Sequence, residues 1–175
     1  GSHFAVTKSI NLMQWTQVAN DGGANVLYAR NWRTVLADAF AHVGERPGST
    51  WAPCVHKFGE KYYMYYSLST FGSSVSYIGR VEGDSVLGPY DNSVEIVKSD
   101  GRGGPNAIDP ELFFSKDGRL WLVYGSFFAG IYIKELYASG ENIGLPKEDG
   151  YGKLLWQGGD QGPEGPFIFY NPNTD

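Results

Sequence analysis

Cysteine is nearly missing from this chain: Cys54 alone among 175 residues excludes an internal disulfide. It falls in an apolar stretch with no second thiol and no ligand-like spacing beside it, so it is expected to pack as a small hydrophobe. Basic residues are also scarce, with 14 Lys and Arg against 19 Asp and Glu, a net charge of −5. No basic cluster relieves that balance, which argues against nucleic acid and anionic membrane as partners. No apolar run approaches the roughly 18 residues that a membrane-spanning helix needs. The first residues lack a basic start, a long apolar stretch and a small-residue cleavage site, so no signal peptide is read there. Helical periodicity is almost as rare. Only Trp32 to Ala41, with Trp32, Val35, Leu36 and Ala39 on one face, predicts a helix, expected to cover a sheet.

What is present is aromatic and turn-forming. Aromatic residues make up 15% of the chain and charged residues 19%, with 24 glycines. This describes a turn-rich β protein whose surface is polar largely without charge, a profile common among sugar-binding proteins. An ordinary β sandwich fits the composition equally well, so the order of the residues has to decide.

That order contains a repeat. Trp51-Ala52-Pro53, Ile108-Asp109-Pro110 and Glu164-Gly165-Pro166 align on their prolines, which recur after 57 and then 56 residues. Each of the first two leads into an apolar strand, a turn (Gly59-Glu60, Asp117-Gly118) and a second aromatic strand. A period slightly above 50 with several short strands per unit is the mark of propeller blades. Strands are predicted near 4–9 and 12–18 for an incomplete first blade, with a turn at Asn20-Asp21-Gly22-Gly23. A loop is expected from Gly44 to Thr50. The second blade is placed at 52–57, 61–69, 74–83 and 93–98, and the third at 109–115, 119–126, 130–138 and 152–156. Ser139 to Gly150 reads as a polar excursion, and Phe167-Ile168-Phe169-Tyr170 as the opening strand of a fourth blade. Two whole blades cannot close a ring, so the chain is expected to be part of a longer propeller or to be completed by another chain.

Two acids stand at the repeat's strand openings. Pro110 cannot donate to a ladder, which places Asp109 at a sheet end, and Glu164 occupies the same kind of position. Carboxyls about one repeat apart in a radial array project toward the axis at one end. Such a pair suits glycoside hydrolysis, in which one carboxyl protonates the leaving oxygen and another activates water. Glu164, among glycines and prolines that admit substrate closely, is expected to be partly desolvated. Spacing alone leaves open that Asp109 caps a turn and Glu164 is a solvated loop acid. Trp51 at one strand opening and Phe71 after the second strand add flat rings that form a platform for sugar faces. His42 and His56 read as structural or surface residues, since neither has a carboxylate or thiol at ligand spacing.

Taken together, Ser49-Thr50-Trp51-Ala52-Pro53, Tyr65 to Ser73, Asn106-Ala107-Ile108-Asp109-Pro110, Trp121 to Phe127 and Glu164-Gly165-Pro166 resemble glycoside hydrolase family 43, and within it endo-1,5-α-L-arabinanases. The resemblance implies an all-β, five-bladed β-propeller. This chain would supply roughly the first half of it: a partial first blade, blades two and three, and the start of a fourth, residues 1–175 being part of one catalytic domain cut at both ends. It further implies inverting hydrolysis of the internal α-1,5-linked bonds of arabinan, with Glu164 as general acid and Asp109 modulating the pKa of that acid and orienting it. Trp51 and Phe71 would line sugar subsites, with Asn106 and Ser126 as polar pocket residues. Partners would be arabinan or arabino-oligosaccharides and the remainder of the propeller, in a secreted, cell-surface or periplasmic setting.

There are two departures. The family often has an acid after Trp-Ala-Pro, where this chain has Cys54. The general base of the family is an aspartate in a His-Asp-Pro motif opening the first blade, and no such motif occurs in the 175 residues. Stepping the repeat back from Pro53 reaches upstream of Gly1, and Asp21 and Asp38 lie in the wrong context. These residues alone are therefore expected to show little hydrolase activity. A calcium ion at the propeller axis is implied, held through a histidine and waters outside this chain, so no metal ligand is assigned here. Other specificities of the family (exo-arabinanase, arabinofuranosidase, xylosidase) and a non-catalytic glycan-binding propeller remain as alternatives.

Overall fold

The structure, a computed structural model, describes residues 4–18, 32–44, 49–157 and 162–174. It consists mostly of strands in three antiparallel sheets. A short ribbon pairs β1 (Thr7–Lys8) with β2 (Thr16–Gln17). A four-stranded sheet runs in sequence order through β3 (Ser49–Phe58), β4 (Lys61–Ser69), β5 (Val75–Gly83) and β6 (Asp91–Asp100). Another runs through β7 (Glu111–Phe114), β8 (Leu120–Ser126), β9 (Gly130–Leu136) and β10 (Lys153–Trp156). Two short helices, α1 (Trp32–Val35) and α2 (Ala37–Val43), precede β3.

Strand β4 shows how the sequence builds this arrangement. Side chains alternate across a strand. Tyr63 and Tyr65 enter one apolar cluster, whereas Met64, Tyr66 and Leu68 enter another. The first cluster adds Ile78, Val97, Leu112, Leu120, Leu122 and Tyr124, so it lies where the two four-stranded sheets face each other. The second contains Leu36 and Ala39 beside Tyr77, Val81 and Tyr90. The β3–β6 sheet is thus buried on both faces, by its neighbour and by the helices. This is why Lys61-Tyr-Tyr-Met-Tyr-Tyr-Ser reads as a continuous apolar run rather than a clean alternation. The excursion 137–152 is fastened back by tyrosine hydroxyls: Tyr65 donates to the Gly144 carbonyl at 2.9 Å and Tyr124 to that of Tyr151 at 2.8 Å.

The strands of both four-stranded sheets fall where their apolar runs predict, within a few residues. Ser49 and Thr50, expected as loop, begin β3. The helical stretch forms but is interrupted at Leu36, which leaves helical geometry at φ −100°, ψ 27° while its side chain is fully buried. Three expected strands are corrected. In the segment 4–18 the strand residues are 7–8 and 16–17, with a bridge at Ala5 and the Val18 amide donating to the Val6 carbonyl at 2.8 Å, while between them Asn11 Oδ1 accepts the amides of Met13 and Gln14 at 3.0 and 2.9 Å. That local turn, with Leu12 at φ 59°, competes successfully with a longer ladder. Phe167 to Tyr170 is not a strand and joins no sheet among the described residues, and Phe167 and Phe169 are exposed. The predicted turn at Asn20–Gly23, including Asp21, lies outside the described residues.

The repeat is visible in the backbone itself. The residues before the three aligned prolines all have positive φ: Ala52 at 40°, Asp109 at 58° and Gly165 at 59°. A residue preceding proline ordinarily adopts an extended conformation, so three left-handed ones in equivalent places mark one structural unit repeated. Gly125 ties the second unit to its sheet, its N–H donating to the Ile108 carbonyl at 3.0 Å. At φ 124° a Cβ on Gly125 would lie 2.4 Å from the Gly130 carbonyl oxygen. Gly125→Ala is therefore expected to cost about 1–3 kcal/mol, read as a lower urea midpoint at unchanged m-value.

Candidate active site

Residues 106–110 form an irregular segment delivered by the β6–β7 connection and pinned by serines of the β3–β6 sheet. Ser76 Oγ donates to Asn106 Oδ1 at 2.6 Å and is itself hydrogen-bonded to Ser69 Oγ at 2.6 Å. The Ala107 amide donates to Ser99 Oγ at 3.0 Å, and the Asp109 amide to Ser67 Oγ at 3.0 Å. Buried polar groups must be paired, and here the pairing holds one short segment in a single conformation. Sequence reasoning missed these serines. Their signal was small hydroxyls placed within otherwise aromatic and aliphatic strands, as in Tyr65-Tyr66-Ser67-Leu68-Ser69.

Asp109 is the strained point. Its left-handed φ ends the extended path, and Pro110 offers no amide to a ladder, so β7 begins at Glu111 and not at residue 109 or 110 as predicted. Asp109 is half-buried, and its Oδ2 accepts the Gly165 amide at 3.1 Å. Burial pushes its carboxyl above the ordinary carboxylate value. The Gly165 hydrogen bond opposes that rise, and the negative charge of Glu164 adds to it. This electrostatic contact and the Gly165 bond bring the two acids to one place. They do not stand at equivalent positions of the repeat, however: Asp109 matches Gly165, and Glu164 matches Ile108 and Trp51. Nor is Glu164 the desolvated carboxyl that was expected. Its side chain is exposed, and Asp109 is the acid drawn from water.

The aromatic candidates lie at the same end of the sheet. Trp51, half-buried in β3, pairs across the ladder with Ser67, the residue that holds the Asp109 amide. A bulge between Trp51 and Cys54, with Ala52 at positive φ, turns the strand there. Phe71 is 93% exposed in the turn two residues beyond Ser69. Asn106 and Ser126, expected as polar pocket residues, are buried, at 2% and 0% exposure. Asn106 is engaged by Ser76, and Ser126 Oγ accepts the Phe128 amide at 3.4 Å. Just past Ser126, the exposed rings of Phe127 and Phe128 stack at 4.6 Å, a second aromatic surface to which the sequence reading gave no role.

Cys54 packs in the apolar core as expected; the correction concerns its neighbour His56, expected to have no carboxylate or thiol at ligand spacing. Together with Glu111 they form a group whose ligand atoms all lie within 4.8 Å of one another. Residues two apart on a strand share a face, so the thiol and imidazole project together. The carboxylate arrives from β7, a contact no local spacing could reveal. Burial, and then the Glu111 charge, push the Cys54 thiol up; burial pushes His56 down, with Glu111 opposing. This donor set does not suit calcium, a hard cation that takes about six to eight oxygens.

Comparison with known proteins places this geometry in context. Residues 2–173 match the family described as glycosyl hydrolases family 43. An extracellular endo-α-(1→5)-L-arabinanase of Thermotoga petrophila is 40% identical, over 100% of this chain and 40% of its own length. The crystal structure of endo-1,5-α-L-arabinanase from that organism superposes with a TM-score of 0.85 at 39% identity, over 100% of this chain and 42% of that one. An extracellular endo-α-(1→5)-L-arabinanase 2 of Bacillus subtilis is 36% identical, over 99% of this chain and 39% of its own. An exo-1,5-α-L-arabinanase from a bovine ruminal metagenomic library is similar at a TM-score of 0.60 and 30% identity, over 82% of this chain and 45% of that one. The chain spans about two fifths of the length of the two endo-arabinanases.

Proposed function

This chain belongs to family 43 of the glycosyl hydrolases, and from that premise we propose that the intact protein cleaves internal α-1,5-arabinofuranosidic bonds of arabinan with inversion. The observation that carries the reading is the hydrogen bond from Gly165 to Asp109, which sets the exposed carboxyl of Glu164 beside a half-buried one. Glu164, open to solvent and substrate, protonates the leaving oxygen. Asp109, held by Gly165 on one side and through Ser67 on its own backbone, orients that acid and acts on it through its charge. Trp51 and Phe71 offer ring faces to sugar units, while Asn106 and Ser126 support the segment from behind. The base that activates water is not assigned to a residue of this chain.

On this reading the two four-stranded sheets are consecutive blades of a five-bladed propeller, and residues 1–175 are part of one catalytic domain whose enzyme works outside the cell or at its surface. Names of the endo-acting relatives from Thermotoga and Bacillus support both the substrate and the extracellular setting.

Incubation of the intact protein with linear debranched arabinan tests the proposal. An endo enzyme produces a ladder of oligosaccharides and a rapid fall in viscosity while few reducing ends have formed. A single short product from the first minutes assigns exo action, as in the ruminal relative's name. Binding without any hydrolysis overturns the enzymatic reading in favour of a glycan-binding propeller.

A further inference from the structure

The Cys54–His56–Glu111 group lies outside the acid pair proposed for hydrolysis, at the place where the first strands of the two four-stranded sheets, β3 and β7, carry potential ligands toward each other. We propose that these three side chains form a site for a divalent transition-metal ion of the zinc type, clipping β3 to the start of β7. Thiolate, imidazole and carboxylate are the three donors that zinc takes, at about 2.3, 2.0–2.1 and 2.0–2.2 Å respectively. Donors sharing one ion at those lengths stand roughly 3–4 Å apart, and these already lie within 4.8 Å of one another. The soft thiolate selects zinc, cobalt or copper over magnesium and calcium.

The surroundings suit such a site. Cys54 is buried and His56 and Glu111 are half-buried, so the group is shielded at the thiol and reaches solvent at the other two ligands. The His56 ring stacks on Phe58 at 6.0 Å with an 11° interplanar angle, which limits its orientations before any metal arrives. A metal ion takes Cys54 as the thiolate, against the burial and the Glu111 charge that push its thiol up. Binding therefore forms the metal–sulfur bond and releases the thiol proton to solvent. Three protein ligands leave one position for water. Glu111 lies two residues from Asp109, so the clip would secure the strand that follows the catalytic segment.

Cobalt(II) is the probe, because a thiolate ligand gives it a charge-transfer band in the near ultraviolet. Titrated into the intact protein, Co2+ is expected to produce that band to a one-to-one endpoint, with Zn2+ displacing it. Cys54→Ala should abolish the band, and His56→Gln and Glu111→Gln should each weaken Co2+ binding at least tenfold. Zn2+ should also raise Tm in the wild type and not in Cys54→Ala, since a ligand that binds only the folded state stabilises it. No band, or a band whose midpoint either His56→Gln or Glu111→Gln leaves unchanged, overturns the three-ligand site. Hydrolysis of arabinan is read separately, so loss of this site and failure of the enzymatic proposal are distinguishable.

Discussion

Replacement of Glu164 by glutamine is expected to lower kcat on linear arabinan by about 10²–10⁴-fold, the usual contribution of a positioned general acid, with KM little changed. Glutamine preserves shape and hydrogen-bonding reach but has no proton to transfer. The loss should appear equally in kcat and kcat/KM, the pattern of an interaction made only in the transition state. Exposure of Glu164 sharpens this expectation, because a substitution at an exposed position has little reason to disturb the fold. Urea unfolding should therefore be unaltered while turnover collapses. A substrate with a leaving group that needs no protonation should recover much of the lost rate.

Asp109 should respond differently to two substitutions. Asparagine in its place would keep an oxygen to accept the Gly165 amide and would tolerate the left-handed backbone at φ 58°. It removes only the charge beside Glu164. Asp109→Asn is thus expected to cost about 10²-fold in kcat, the lower end of the acid–base range, with an unaltered melting temperature. Asp109→Ala also removes the acceptor and places a residue without a local polar partner in the left-handed region, a conformation that costs up to about 1–2 kcal/mol. Its kcat should fall further, and its Tm should drop as well. Steady-state kinetics beside thermal melts of the two variants separate charge from scaffolding.

Much of the fold could be read in advance because its signals were local. Apolar runs bounded by Gly59-Glu60 and Asp117-Gly118 placed β3, β4, β7 and β8, since a hairpin needs only a turn and two half-buried segments. The proline repeat was legible for a related reason: a left-handed residue before proline is so unusual a local demand that it recurs with its neighbours. Where the reading failed, a contact distant in sequence or a competing local bond decided the outcome. Asn11 captured two amides that a longer strand would have used. Phe167 to Tyr170 has strand propensity and no ladder to join among the described residues. Glu111 meets Cys54 and His56 only once the two sheets face each other. The site was half legible in the same sense. Motif order nominated Asp109 and Glu164, but no pattern of residues could say which of them is drawn from water, because that follows from how residues 106–110 are pinned beneath serines of another sheet.

Comparison of Asp109→Asn, Glu164→Gln and the double variant on linear arabinan tests most directly whether the two carboxyls serve one glycosidic bond. If Asp109 acts through Glu164, the double variant turns over at about the rate of Glu164→Gln alone, because removing the acid leaves the orienter nothing to orient. If the two losses instead multiply, the carboxyls act independently, and the shared site built on the Gly165 hydrogen bond is wrong.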